Sequence, residues 1–494
     1  MDKISINELY RMSCSDKTKQ TQNNIRNISI NEECVKVQNN TKRYLHLENI
    51  YIEKFGHDKN EKFRYFSAPG RCEITGNHTD HNGGKVIAAS IDKDTIAVAV
   101  PNDDNVIRIF SEGHDYIEVD INSIVRAENK NKTAKADNCL AETSTNEKNN
   151  EKNNVQNNKL NNEQQSGQYI QNDVQVCDYE YIKQGGSSAL VYGMAKYLIE
   201  NGCNIGGFNA AISSEVLSGS GISSSASYEM LICAIFNALY NRGLLSIDIC
   251  AKSGQYAENK FWNKASGLMD QIACAAGGMV LMDFSDMNNV HYESVDYEFD
   301  DTYEVIIVNT GGGHANLSDY YSSIPHDMYY VAGKLGVNRL CETDMKSLMT
   351  HISDIDNDRA ILRAMHFYNE NARVIDMENA LRENNIKRIL EIVKESGDSS
   401  YKLLQNCYYD STGKEQKVAL ALAVSQQYID QSDTDNTGCC RVHGGGFAGT
   451  IMALIRKDAV DDYCRYIGGY FGNDNVFRMN IRRYGAVEVD ISQR

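Results

Sequence analysis

Three prolines, one tryptophan and no apolar run near the ~20 residues of a membrane helix mark what this 494-residue chain does without. Its start, Met1-Asp2-Lys3-Ile4-Ser5, carries no apolar signal core, so a cytoplasmic chain with reduced thiols is expected. Fourteen cysteines are scattered without paired CxxC spacing, which speaks against a zinc ribbon. Basic residues are outnumbered, 50 Lys and Arg against 67 Asp and Glu, for a formal net charge of -17. That balance argues against nonspecific nucleic-acid binding and against an anionic membrane surface. It leaves a nucleotide open, because a local cluster of donors outweighs a global field. A Walker A loop is missing too: no Lys-Ser or Lys-Thr follows Gly219 and Gly221 at the required spacing.

What is present suffices for two or three domains, with 41% apolar residues. Residues 1–45, rich in Asn, Lys and Gln, read as a loose polar leader, followed by a helix from Glu48 to Phe55. A β-rich region follows. Strands are expected at Phe63–Ser67, Val86–Ala89, Thr95–Val100, Asn105–Phe110 and Tyr116–Val119, with Ile91-Asp92-Lys93-Asp94 breaking the second from the third. Residues 127–173 hold Asn-rich low-complexity runs with too few apolar residues to repay their ordering, and read as a disordered insertion. Beyond it, helices are expected over Tyr179–Ile199 and Ile247–Trp262, and strands at Phe208–Ile212 and Met279–Asp283. A second half begins near residue 301, with a strand at Tyr303–Val308. Helices at about 318–335, 345–350, 357–380 and 385–396 follow, then a strand at Thr450–Ile455.

Three stretches carry chemistry. Gly219-Ser220-Gly221-Ile222-Ser223-Ser224-Ser225 runs into apolar residues spaced by three and four, so a glycine loop turns directly into a helix N-terminus. The free N–H groups and dipole of such a terminus bind anions, usually phosphate. Taken alone, the stretch fits a serine-capped helix with a flexible lead-in equally well. Upstream, Arg71 to Gly84 packs Arg71, Glu73, His78, Asp80 and His81 among glycines with little apolar content, a composition suited to binding several hydroxyls. His78 and His81 lack a third and fourth partner at metal-ligand spacing. Near the end, Gly444-Gly445-Gly446-Phe447-Ala448-Gly449 implies close backbone approach or a tight turn.

In order, these stretches resemble a known set. Ala68-Pro69-Gly70-Arg71 through Gly84 resembles the sugar-binding signature of galactokinases. Gly219–Ser227 is similar to the phosphate loop shared by the GHMP kinases (galacto-, homoserine, mevalonate and phosphomevalonate kinases), and Gly444–Gly449 to their third motif. Lys264–Gln271 resembles the galactokinase segment that bears the catalytic aspartate. The resemblance spans about residues 46 to 485. It implies an α+β, two-domain GHMP kinase fold. A β-rich N-terminal domain (46–300) would carry the phosphate loop and its helix, an α+β C-terminal domain (301–494) would follow, and the active site would lie in the cleft between them.

The resemblance also implies roles. Asp270 takes or polarises the sugar hydroxyl proton, and Arg71 stabilises the ionised aspartate and the transferring charge. Ser225 and Glu258 hold magnesium. Gly219, Ser220, Gly221, Ser223, Ser224 and Ser225 cradle the phosphates of ATP. Glu73, Asn77, His78, Asp80, Gly267 and Tyr321 face the sugar. Such a mix of carboxylates, one arginine and a metal is adequate for phosphoryl transfer, which rests on positioning and charge neutralisation. Small-molecule sugar and ATP are the implied partners, and a monomer is favoured. The chain departs from the family at Asn77, where the usual residue is glutamate, at Glu73, where it is asparagine, and at Leu217, where proline is common. The first two read as a compensating exchange. The leading expectation is ATP-dependent phosphorylation of the anomeric hydroxyl of galactose. The alternatives are the same reaction on an amino sugar or a pentose, and a sugar- and ATP-binding sensor.

Overall fold

The structure is a computed structural model. It describes residues 3–10, 23–58, 60–126, 186–216, 219, 221–262, 264, 266–297, 299–311, 317–409, 414–432 and 436–492. The Asn-rich insertion at 127–173, Leu217 and Ser220 lie outside these residues.

The first half runs β1 (Ile4–Ser5), α1 (Ile6–Leu9), α2 (Asn23–Phe55), β2 (Arg64–Thr75), β3 (Lys85–Pro101), β4 (Val106–Ser111) and β5 (Ile117–Asp120). It continues with α3 (Gly186–Glu200), β6 (Phe208–Ser214), α4 (Ser224–Tyr240), α5 (Ile247–Phe261), α6 (Met269–Ala276), β7 (Met279–Asp283) and β8 (His291–Ser294). The second half holds β9 (Tyr303–Asn309), α7 (Ser318–Lys334), α8 (Met345–Thr350), α9 (Asp358–Arg382), α10 (Ile386–Ser399), α11 (Lys417–Gln431), β10 (Gly438–His443), β11 (Thr450–Arg456), α12 (Val460–Phe471), β12 (Val476–Met479) and β13 (Val487–Asp490). Among the described residues no helix is long and apolar enough to cross a membrane.

The larger sheet orders as β1-β13-β2-β3-β6-β4-β5, with β7 on β3 and β8 on β7; the smaller orders as β10-β11-β9-β12. β3 supports both ends of the larger sheet: Thr95–Pro101 pairs with β6, and Lys85–Ala89 with β7. An apolar cluster joins the sheets, placing Cys72, Ile74, Ile87 and Ile222 beside Val305, Ile307, Met452 and Leu454 under α9 and α10.

β3 is one strand, where the charges at Asp92, Lys93 and Asp94 suggested a break. Asp94 is buried, but Arg43 (2.7 Å), Arg482 (3.0 Å), Ser67 and Tyr10 all donate to it. A buried charge so completely paired need not end a strand. β2 likewise continues past Ser67 through Pro69 to Thr75, with register shifts between Pro69 and Arg71 and between Glu73 and Thr75. A proline without an N–H to donate is tolerated at such an irregularity.

The leader is not loose where it is described. Ile4–Ser5 pairs parallel to β13, and Ile6, Leu9, Tyr10, Tyr44, Leu47 and Tyr51 are buried against Ile96, Val98 and Val100. Polar residues dominate its composition, but its few apolar side chains are spaced to cover one sheet face. The helix expected from Glu48 begins far earlier, at Asn23. The chain also returns from the second half to the larger sheet, since β13 pairs with β2.

Candidate active site

The three chemistry-bearing stretches meet where the two sheets face each other. The Arg71 N–H donates to Ile222 O at 3.1 Å, and Arg71 Nη1 donates to Gly221 O at 2.6 Å. Gly221 has φ +72°, and a Cβ there would meet Thr450 Oγ1 at 2.5 Å, so the loop and β11 touch backbone to side chain. The Glu73 N–H donates to His443 Nε2 (3.1 Å), and His78 Nε2–H donates to Gly445 O (3.0 Å). Each stretch also holds one non-glycine residue in the left-handed region: His78 (φ 58°), Ser223 (φ 61°) and Phe447 (φ 56°). Such residues carry local strain and concentrate where a site is shaped.

Ser223 precedes α4 in the N-cap position, yet its side chain caps nothing. Its hydroxyl instead donates to Asp270 Oδ2 at 2.5 Å. The serine-capped reading of this loop therefore does not hold, and the first-turn N–H groups of α4 keep their affinity for an anion. Asp270 lies in the first turn of α6, where a carboxylate suits the helix dipole. Arg71 Nε donates to its Oδ1 at 2.8 Å. Burial alone would push the Asp270 carboxyl up, but the Arg71 guanidinium, with Lys264 and Ser223 adding to it, holds it at about 2. The result is a firmly ionised carboxylate, 25% exposed, next to an arginine and a phosphate-type loop. Asp80 Oδ2 stands against Gly267, where a Cβ would collide with it.

Ser225 and Glu258 come together around one cation, and that cation is Lys264. Its Nζ lies 2.5 Å from Glu258 Oε1 and 3.2 Å from Ser225 Oγ. Two oxygens that share one ammonium can share a magnesium ion, so the pair fits the expected metal. Among the described residues no group of three or more His, Cys, Asp and Glu side chains gathers to hold a metal unaided. Phosphate oxygens and water could complete the set. Behind this pair lies Glu229, fully buried on α4, with Gln271 Nε2 donating to both Glu229 Oε2 (3.0 Å) and Glu258 Oε2 (3.2 Å). Burial and then the neighbouring Glu258 push the Glu229 carboxyl up.

Two of these stretches lie within segments that match known families. Residues 49–101 match the galactokinase galactose-binding signature, and residues 189–278 match the N-terminal domain of the GHMP kinases. The chain thus carries a galactokinase galactose-binding signature and a GHMP kinase N-terminal domain. It is 27% identical to a galactokinase of Lactobacillus helveticus over 425 residues, covering 84% of this chain and 92% of that one. It is 28% identical to a galactokinase of Limosilactobacillus reuteri (strain DSM 20016) over 410 residues, covering 82% and 88%. Its fold matches Lactococcus lactis galactokinase complexed with galactose at a TM-score of 0.66 and 21% identity, covering 89% of this chain and 98% of that one. The Methanococcus jannaschii mevalonate kinase matches at 0.53 and 12% identity, covering 86% and 99%.

Within this GHMP kinase fold, Glu73 and Asn77 depart from their expected place at the sugar. Asn77 Nδ2 donates to Glu73 Oε1 (3.1 Å) and Gly444 O (2.9 Å), while Asn77 Oδ1 accepts from Asn406 Nδ2 (3.0 Å). Glu73 pairs with Arg441, which is completely buried. Both side chains are spent on protein partners behind the cleft, because their exchange lets one donate to the other. His78 is neutral, its ring pushed down to about 3 by burial and by His81. Tyr321 OH donates to Gly446 O (3.0 Å), and its ring meets Phe447 edge-on.

Sequence reasoning missed Glu370, Arg441 and Glu229. Glu370 Oε1 accepts from Gly76 N (3.0 Å) and Ser396 Oγ (2.6 Å), which fixes the turn before His78. No local signal marks Glu370 on a long helix, whereas Glu229 sits four residues after Ser225, on the same helix face.

Proposed function

We infer that this protein transfers the terminal phosphoryl group of ATP to the anomeric hydroxyl of galactose, giving galactose 1-phosphate. The observation that carries this is the ionised Asp270, held between Arg71 and Ser223 at the mouth of an anion-binding helix. Asp270 accepts the hydroxyl proton as the sugar oxygen attacks phosphorus. Arg71 keeps the carboxylate ionised beforehand and offsets the charge moving between the oxygens. Gly219, Gly221 and the first turn of α4, with Ser224 and Ser225, receive the phosphates; Ser220 would belong to the same loop. Ser225 and Glu258 would hold magnesium, which supplies charge neutralisation of the triphosphate. Asp80 accepts from sugar hydroxyls beside Gly267, with His78 and Tyr321 forming the wall. The reading places the enzyme in the cytoplasm as a monomer.

The test is turnover of the purified protein on galactose against galactosamine and a pentose, with ATP. Galactose should be preferred. Absent galactose turnover beside good turnover of another sugar would move the assignment to that sugar. Binding of both substrates without turnover of any sugar would make the protein a sensor.

A further inference from the structure

The ammonium of Lys264 touches the two oxygens assigned above to magnesium. We propose that Lys264 is a tethered cation that fills the divalent-metal position of the nucleotide-free enzyme and keeps free metal out, so that metal enters together with the triphosphate. This rests on the reading of Ser225 and Glu258 as metal ligands.

Glu258 is 1% exposed, and a carboxylate that deep needs a counterion. Among the described residues its Oε2 accepts only from the neutral amide of Gln271, which brings no positive charge. Lys264 meets the need from the loop between α5 and α6. An ion in contact with Ser225 Oγ and Glu258 Oε1 would stand within contact distance of the ammonium, and two like charges that close repel each other against a buried carboxylate. The lysine is also built to leave. Its side chain is half-exposed, on a flexible four-carbon stem. Its Nζ already lies 5.9 Å from the ring centre of Trp262, an exposed residue whose face can hold a displaced ammonium. An incoming triphosphate brings negative charge of its own, which would draw the lysine off Glu258 as the metal arrives; free metal brings no such exchange.

The test uses Mn2+ as the probe, with nucleotide absent and free Mn2+ followed by electron paramagnetic resonance. The unaltered protein should bind Mn2+ weakly. Lys264→Met should bind it at least about tenfold more tightly, Lys264→Arg should stay weak, and adding Glu258→Gln to Lys264→Met should abolish the gain. Lys264→Gln serves if the methionine variant folds poorly, as judged by thermal melting. In the unaltered protein, Trp262, the single tryptophan, should change its fluorescence with Mn2+ and nucleotide together but not with Mn2+ alone. Equal Mn2+ affinity with and without the lysine, lost in both on Glu258→Gln, would overturn the role of Lys264 while leaving the metal ligands in place. Mn2+ binding indifferent to Glu258→Gln in every background would remove the metal assignment, and the proposal with it.

Discussion

Arg71 and Glu73 stand two residues apart on β2 and each enters an ion pair, yet the two pairs serve different ends. Arg71 meets Asp270 at the cleft, where the aspartate side chain keeps 25% of its surface. Glu73 meets Arg441 behind the cleft, where the two side chains are 4% and 0% exposed. The front pair leaves a carboxylate edge open to a substrate. The rear pair leaves no edge open to solvent: Arg441 Nη1 also donates to Ser396 Oγ, and Glu73 also accepts from Asn77. One strand therefore supplies a reactive group to the site and, one pleat further on, a tie from β2 to β10. The difference lies in solvent access, not in residue type.

Exchanging each pair's acidic or basic member should separate chemistry from stability. Asp270→Asn removes the proton acceptor and should lower kcat about a thousandfold. Its unfolding free energy, from urea titration, should change by less than about 1 kcal/mol, because an amide still accepts from Arg71 and the pair is partly solvated. Arg441→Met should do the reverse. It strands Glu73 and withdraws a cation from Glu370, at a cost of about 3–5 kcal/mol in unfolding free energy. Adding Glu73→Gln should recover much of that loss. A stable Arg441→Met protein, or an unstable Asp270→Asn one, would break the distinction between front and rear.

The front was largely legible in the sequence and the rear was not. Gly219–Ser225, Arg71–Gly84 and Gly444–Gly449 are contiguous, and loops that bind through backbone groups write their geometry locally in glycines and hydroxyl residues. The Asp270–Arg71 pair followed from resemblance, and the geometry brings the two together. Glu370 and Arg441 are 297 and 368 residues from Glu73, as their positions show, and nothing near either one signals a partner at that distance. Strand β3 looks like two strands from its residues for the same reason: the cations that neutralise Asp94 come from α2 and from Arg482, far along the chain. Alternation and helical spacing found most of the strands and helices that position the site. Buried charges misled wherever their counterions were remote.

Acid should act on both sides of the cleft by a smaller margin, since His78 at the front is also buried and pushed down to about 3. His366 and His443 are buried and both are pushed well toward the neutral form, first by burial; Arg71 and Arg441 add to this at His443. In the unfolded chain each regains a pKa near 6.5. The unfolded state then binds more protons below that pH, so stability rises with pH across the window and falls as pH drops under about 6.5. Each histidine contributes up to about 1.4 kcal/mol per pH unit. Asp270, at about 2, stays ionised throughout that range. Urea titrations at pH 7, 6 and 5 should show the decline, and His366→Gln should lessen it by that histidine's share. A flat profile down to pH 5 would mean that the buried histidines are not held neutral.

The smallest effect tests whether the front carries strain that the rear lacks. Ser223 holds φ 61° while its hydroxyl binds Asp270. Both Ser223→Ala and Ser223→Gly lose that hydrogen bond, and each should lose about tenfold in kcat, in keeping with one bond to a charged group. They should part in stability. Alanine keeps a Cβ in the left-handed region, whereas glycine adopts that region freely, so Ser223→Gly should be more stable than Ser223→Ala by about 0.5–1 kcal/mol. Glycine also widens the unfolded ensemble, which works against it, so a measured advantage would come from strain relieved in the folded loop. Equal stabilities would mean the loop relaxes without strain once the hydroxyl is gone, and the left-handed turn would then be a consequence of the Asp270 contact rather than a cost borne to make it.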